Sequence, residues 1–449
     1  MKRRSWWRTC LVVLWAVVSV IGLVGSGWTV RSWVAVPSSV QRLVAEGERL
    51  LAVTADGSPA PGQMQAYFPE GEFFTYVLAG TGLARLADPE LYPSVDEQTR
   101  AAFLAGARHA LDAISTDQVS TRFGQISALD HGIFYRGWRL ALINAIVASG
   151  GSDLAAEQAS EARAILQAVG ASQAGWVEGY PGGYWPCDTV AGLGAAAAAL
   201  PGEAAEVVQR WMNQVVPDDT GLLPHQVRAD GSAMDLARGT SQAIIQTFWP
   251  SLSAVAKPGN NLEDWTTFTN RFISREAGVV AVREWPQGVD GAADVDSGPL
   301  IAGLSLSASA VGLAAARANG DTALAADLDH EIEWLAVGIT SHNQRTYGAG
   351  LLPVAEAFIF WAKTTPVGMA TSDTSHVSPV WWAWALVFAL PAVLFVVIIP
   401  WRKHRQHTKM STPWAQDKRH PLWDWLCGSP IARNPYCADV GVSEVLADE

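Results

Sequence analysis

Cysteine is scarce. The chain has four in 449 residues, at Cys10, Cys187, Cys427 and Cys437. Cys187 stands alone in the long middle of the chain, so no disulfide framework braces that part. Zinc-holding spacings such as His-x-His, His-Glu-x-x-His and Cys-x-x-Cys are missing. A calcium loop is not expected either, because no acidic residue stands eleven positions beyond Asp290 or Asp294. Phosphate loops, dinucleotide fingerprints and the Gly-x-Ser-x-Gly elbow are also missing. Neither metal nor cofactor is therefore expected.

Charge is sparse too, at 16% of residues, and it is unevenly spread. Two charge-free apolar runs divide the chain. One lies between Arg8 and Arg31, and the other between His376 and Arg402. Each is long enough to cross a bilayer as a helix. Basic residues flank both outer ends: Lys2, Arg3 and Arg4 before the first run, and Arg402, Lys403 and Arg405 after the second. By the positive-inside rule both termini are then cytoplasmic. A cleaved signal peptide is the alternative for the first run, but no clear small-x-small site follows it. The expected organisation is a cytoplasmic N-terminus and transmembrane anchor over residues 1–31, an ectodomain over 32–376, a transmembrane helix over 377–401 and a cytoplasmic tail over 402–449. Residues 31–376 hold 20 Lys and Arg against 37 Asp and Glu, a net charge of −17. So acidic a domain argues against nucleic acid as a ligand.

What the ectodomain has in abundance is helix pattern of two kinds. Val40–Val53, Val95–Ile114, Asp153–Val169, Glu203–Val216, Leu262–Phe272 and Thr322–Ile339 carry charges at helical spacing, as surface helices do. Glu72–Leu86, Ile133–Ala148, Thr189–Leu200, Thr240–Val255, Pro299–Ala316 and Leu351–Lys363 are apolar all round and rich in Ala, Gly and Ser, as buried helices are. The two kinds alternate strictly. Few segments look like strands, with Val279–Val282 the best. Six hairpins of one outer and one buried helix predict an all-α (α/α)6 toroid. An open α-solenoid is the competing arrangement.

In such a toroid all the buried helices run the same way, so the segments before them converge on one mouth. Each of those segments holds polar or ionisable residues, most with aromatics or Gly. The richest is Glu178-Gly-Tyr-Pro-Gly-Gly-Tyr-Trp-Pro-Cys-Asp188. Carboxylates in an aromatic pocket lose hydration, and their pKa values rise and separate, which suits acid/base work. The expected catalytic residues are Glu72, Asp130, His131, Asp188 and Asp296, with Cys187 as a further nucleophile or acid. Tyr135, Tyr184, Trp185, Arg238, Glu284 and Tyr347 are expected to contact substrate. Each has a structural alternative. Glu72, Asp130 and Asp188 suit helix N-termini. Asp294 and Asp296 suit Asx turns, and Arg238 suits an ion pair with a mouth carboxylate.

The alternation, with Tyr184-Trp-Pro-Cys-Asp188 and Asp294-Val-Asp-Ser-Gly-Pro299, resembles the six-hairpin (α/α)6 superfamily of glycosidases, epimerases and lyases. The start of the Ala-rich helix at Trp-Pro-Cys-Asp is similar to that of linalool dehydratase/isomerase-type domains. The likeness covers roughly residues 40–365. It implies a toroid whose acid/base residues, cysteine included, surround an apolar alcohol.

Three functions fit this pattern. The first is a membrane-anchored lyase, isomerase or hydrolase acting on a neutral or hydrophobic alcohol-like substrate. The second is a glycoside hydrolase with a carboxylate pair. The third is a non-catalytic membrane protein that binds a glycan or another protein.

Overall fold

The computed structural model describes residues 2–126, 128–257, 265–369 and 380–409. Cys427, Cys437 and the rest of the expected tail beyond residue 409 lie outside the described residues, as does the segment around His376. The chain divides into two compact units, Met1–Leu23 with Ala389–Glu449, and Val24–Phe388.

The chain is predominantly helical. In order its helices begin with α1 (Lys2–Val34), α2 (Val40–Thr54), α3 (Ala60–Met64), α4 (Gly71–Ala87) and α5 (Glu97–Ile114). Next come α6 (Asp117–Ser120), α7 (Gly132–Ala148), α8 (Ala155–Ala171), α9 (Pro186–Ala199) and α10 (Pro201–Gln214). The last are α11 (Gly239–Val255), α12 (Trp265–Phe272), α13 (Leu306–Ala318), α14 (Thr322–Leu335), α15 (Pro353–Thr364) and α16 (Trp381–Lys409).

In the larger unit α4, α7, α9, α11, α13 and α15 each pack on the next, and α15 packs on α4. These are the six all-apolar helices. α2, α5, α8, α10, α12 and α14 pack outside them, each on at least one of the six. Composition explains the division. In α9 every residue from Pro186 to Ala197 is buried, so the helix needs small, uncharged side chains on all faces. In α2 the buried residues Leu43, Leu50 and Val53 lie on one stripe. Close approach needs glycine where α7 meets α9, since a Cβ on Gly137 would fall 2.8 Å from the Gly192 backbone.

A proline interrupts α11. Pro250 has no N–H for the Gln246 carbonyl four residues earlier. That carbonyl instead accepts a hydrogen bond from Nδ2 of Asn319, the residue that caps α13, at 2.8 Å.

The strands are few and short. β1 (Ile273–Ser274), β2 (Ala281–Arg283) and β3 (Leu304–Ser305) form an antiparallel sheet in that order. β4 (Ile339–Ser341) and β5 (Gln344–Thr346) form a hairpin. Two helix expectations need trimming. The helix expected over Pro299–Ala316 starts only at Leu306. Ala302 and Gly303 have positive φ, and the Ser305 hydroxyl caps α13 by accepting from the Ala308 N–H. The helix expected to reach Ile339 stops at Leu335, because Val337 turns left-handed and Ile339 begins β4.

In the smaller unit the Trp15 indole N–H donates to the Pro391 carbonyl at 2.9 Å, and its ring lies beside Phe395. Within α1, Thr9–Val34 is 26 residues long and its most apolar stretch has a mean hydropathy of 2.3, long and apolar enough to cross a membrane. The apolar part of α16, Trp381–Val397, is shorter.

Candidate active site

The loops that precede α4, α9, α11 and α13 bring together a set of acids around one tyrosine. Pro186 starts α9 at a position where its missing N–H is harmless. Cys187 and Asp188 follow in the first turn, both buried. Cys187 Sγ lies 3.6 Å from Asp188 Oδ1. Burial, the nearby charge of Asp296 and, less strongly, that of Glu70 push the Asp188 carboxyl well above the usual carboxylate range, and only its contact with Cys187 pulls the other way. Burial, Asp188 and Asp296 raise the Cys187 thiol as well.

Asp296 belongs to a tight turn. The Asp294 Oδ1 atom accepts from the backbone N–H groups of Asp296 (3.0 Å) and Ser297 (2.8 Å), an Asx turn. Ser307 donates to the Asp296 carbonyl at 2.6 Å. Desolvation, Asp294 and Glu70 raise the Asp296 carboxyl to about 7, although the residue is exposed to solvent, which moderates the desolvation.

Glu70 completes the acids. It is the N-cap residue of α4, and its Oε1 accepts from the Tyr180 hydroxyl at 2.6 Å. Burial raises its pKa. Tyr180 sits in an aromatic box of Phe123, Phe134 and Trp185, at ring-centre distances of 5.9, 5.4 and 5.7 Å. Its phenol is pushed far up by burial and by Glu70, with Asp188 and Asp296 adding to the shift, so it stays protonated as a donor.

A second group adjoins this one through Asp294. Asp294 Oδ2 accepts from Arg238 at 2.6 Å and lies 3.8 Å from His225 Nε2. Arg238 also pairs with Asp235 and lies over the Trp285 ring at 4.5 Å. His225 Nδ1 shares a hydrogen bond of 2.6 Å with the Ser241 hydroxyl. Desolvation and then Arg238 lower the imidazole to about 4, so it is neutral at pH 7. Glu284 is fully buried. Its Oε2 accepts from the Thr240 hydroxyl at 2.6 Å, its Oε1 has no partner among the described residues, and desolvation raises it to about 7.

The expected site residues divide accordingly. Cys187, Asp188 and Asp296 are brought together. Trp185 touches the group through Tyr180, while Tyr184 donates to Glu178 at 3.2 Å. Arg238 and Glu284 fall in the adjoining group, and Arg238 is held in an ion pair with Asp294. The others are tied elsewhere. Glu72 is paired with Arg122 at 2.6 Å. Asp130 is largely exposed, 3.5 Å from the His131 ring. His131 adopts a left-handed backbone before α7 and donates from Nδ1 to the Gly124 carbonyl. Tyr135 donates to the Ile114 carbonyl at 3.0 Å. Tyr347 is buried with Lys363, Glu46 and Glu333, its hydroxyl 2.5 Å from Lys363 Nζ.

Glu70, Tyr180 and His225 were not anticipated. Glu70 had the same claim as Glu72, two residues on in the same segment. A helix start turns one of such a pair toward the cluster and the other away, and composition does not say which. His225 lies well before its helix, in a loop with no signal beyond the residue itself. Among the described residues no group of His, Cys, Asp and Glu is arranged to hold a metal ion. Two raised carboxyls beside a protonated phenol can instead give and take protons. No protein-family model matches this chain, and no curated protein matches it.

Proposed function

We propose that this chain is a membrane-anchored enzyme that performs acid/base chemistry on a neutral, hydroxyl-bearing substrate. Its domain is read as an (α/α)6 toroid, supported by the cyclic packing order of six apolar helices with six others outside. The carrying observation is the convergence of Asp188, Asp296 and Glu70 on Tyr180. Asp188, kept protonated by burial, donates to the departing or bridging oxygen. Asp296, which titrates near neutrality, takes the balancing proton from carbon or water. The aromatic box favours an uncharged, partly apolar substrate. This agrees with the resemblance to linalool dehydratase/isomerase-type domains. Anchoring rests on the apolar length of α1, and a second span over α16 with both termini cytoplasmic completes the proposed topology.

Glycoside hydrolysis is the second reading, favoured by the charge of Asp296 acting on the Asp188 carboxyl, which brings two carboxyls to one site. Purified full-length protein is assayed on a panel of terpenoid alcohols and of aryl glycosides, in water enriched in heavy oxygen. Alkene formation without label supports elimination, and labelled sugar supports hydrolysis. Asp188→Asn lowers either rate by roughly 10²–10⁴. If neither class turns over, or if turnover survives in Asp188→Asn, the enzyme reading is wrong.

A further inference from the structure

Away from the acid cluster lies a half-open cavity of 280 Å³. One wall is Ala35–Ser38, the residues that directly follow α1. The other comes from the end of α13, from α14 and from Val367. Val36, Pro37, Ala325, Ala326 and Val367 make the lining mainly apolar. Val36 and Val367 are 70% and 51% exposed, so apolar surface continues from the cavity onto its rim. A volume just below the roughly 300–1,000 Å³ of small-ligand pockets suits part of a molecule rather than a whole one.

The polar groups of the lining are unequal. The Asp329 carboxylate is engaged, 3.3 Å from the buried Lys363 ammonium, and it also accepts from Ser38. Arg317 spends only Nε, on the Thr365 carbonyl at 2.5 Å, and its terminal nitrogens have no hydrogen-bond partner among the described residues. Arg85 adds positive charge to the same corner, where it donates to Trp361 and Thr365. An unspent guanidinium in a positive corner recognises phosphate.

The flank of the cavity carries the side chains of a membrane interface. His330 Nδ1 donates to the Ser32 carbonyl at 2.9 Å and its ring stacks on Trp33 at 5.0 Å, and Trp33 stacks on Trp381 at 6.2 Å. The Trp28 indole donates to the Trp334 carbonyl at 3.0 Å, with Arg31 over its ring. Tryptophan and arginine concentrated at the end of an apolar helix mark the headgroup level of a bilayer.

We infer that this cavity binds a membrane phospholipid, with the phosphate on Arg317 and the adjoining glycerol and upper chain against Val36, Ala326 and Val367. The remainder of the lipid stays in the bilayer, which explains a cavity sized for part of a molecule. The inference rests on the membrane-anchored half of the proposed function, not on the enzymatic half.

The test uses full-length protein in vesicles of phosphatidylethanolamine and phosphatidylglycerol, doped with a phosphatidylglycerol that carries a photoactivatable diazirine near its headgroup. Crosslinks are expected on the peptide spanning Thr322–His330. They should fall about tenfold in Ala326→Trp, which fills the cavity, and in Arg317→Gln, which removes the phosphate donor, while crosslinks to α1 persist. Circular dichroism confirms that each variant folds; Val367→Glu, at the exposed rim, replaces a variant that does not. Crosslinks confined to α1, or a Thr322–His330 yield unchanged in the folded variants, overturn the inference. So does protection of that peptide by millimolar inorganic phosphate as complete as by lipid, since the site then binds a free anion. A carbonate wash separates the two failures. A chain washed off the vesicles overturns the membrane reading itself, and a chain retained without cavity crosslinks overturns the lipid site alone.

Discussion

Gly179 and Asp188 share one small space: a Cβ at position 179 would collide with Oδ2 of the Asp188 carboxyl. The loop backbone thus forms one wall of the acid's pocket. Gly179→Ala is expected to destabilise the fold by about 1–3 kcal/mol through overpacking and to push the carboxyl away from Cys187. Gly202→Ala is the control. It lies in α10 with nothing near its Cβ direction, so it should be neutral or stabilising by up to about 1 kcal/mol. Urea unfolding of both variants checks the contrast.

Cys187 reports the charge of its neighbours. Burial, Asp188 and Asp296 all raise the thiol, so little of it is thiolate at pH 8. Alkylation by iodoacetamide should run at least about tenfold slower than for a free thiol, whose pKa is near 8.5. Asp296→Asn removes one source of repulsion, so the pH midpoint of alkylation should fall. An unchanged midpoint would separate Asp296 from the cluster. Mass spectrometry of the tryptic peptide gives the rates.

Stability should depend on pH with a definite sign. Desolvation raises Glu284 to about 7 and Glu331 to about 8. Their folded-state pKa values exceed the unfolded ones, so the stability they confer is whole below about pH 4 and lost as pH rises through 7 and 8. His225, lowered to about 4, acts in the opposite sense between about pH 4 and 6.5, where the unfolded chain binds the extra proton. Glu331→Gln should therefore match the unsubstituted protein near pH 4 and exceed its Tm by roughly 2–4 °C at pH 8, the scale of about 1 kcal/mol in a large domain. Thermal melts across that range decide it.

Lys363 is the keystone of a buried charge network. Burial alone would lower its pKa, but Asp329, Glu46, Tyr347 and Glu333 reverse that and hold it well above the usual lysine value. Nζ lies 2.7 Å from Glu333 and 3.3 Å from both Glu46 and Asp329. Arg345 supplies a second cation to Glu333. Lys363→Met leaves more acid than base in a dry site and should cost about 3–5 kcal/mol. Lys363→Met with Glu46→Gln should recover part of that, read as a non-additive term in thermal unfolding.

Periodicity made the twelve main helices legible, because all-round apolarity and one-sided apolarity are written directly into composition. The start of α13 was not legible. Ser305 caps it six residues after the Pro299 that looked like its beginning, and the backbone between relies on positive φ at Ala302, which no propensity announces. The β4–β5 hairpin was hidden by the long charge pattern of α14. At the site, Asp188 and Asp296 stood out because each ends a segment dense in Gly, Pro or aromatics. Glu70 against Glu72 was decided by the direction a carboxyl takes at a helix start. The placement of Tyr347 was decided by Lys363, a lysine whose burial no local pattern foretells.

The bond from Asn319 to the Gln246 carbonyl sets a register between neighbours. It joins the middle of α11 to the far end of α13, so sliding either helix by one residue, about 1.5 Å, would break it. Arg238 is the N-cap residue of α11, and the Asp294–Ser297 turn lies in the loop before α13, tied to the start of that helix by the Ser305 and Ser307 hydroxyls; Arg238 and Asp294 meet at 2.6 Å. Two fastenings, one midway along α11 and one at its start, act as bolts on a pair of rods. The height at which Asp296 is presented to Asp188 is therefore fixed from below, by a proline that leaves a carbonyl for its neighbour to hold.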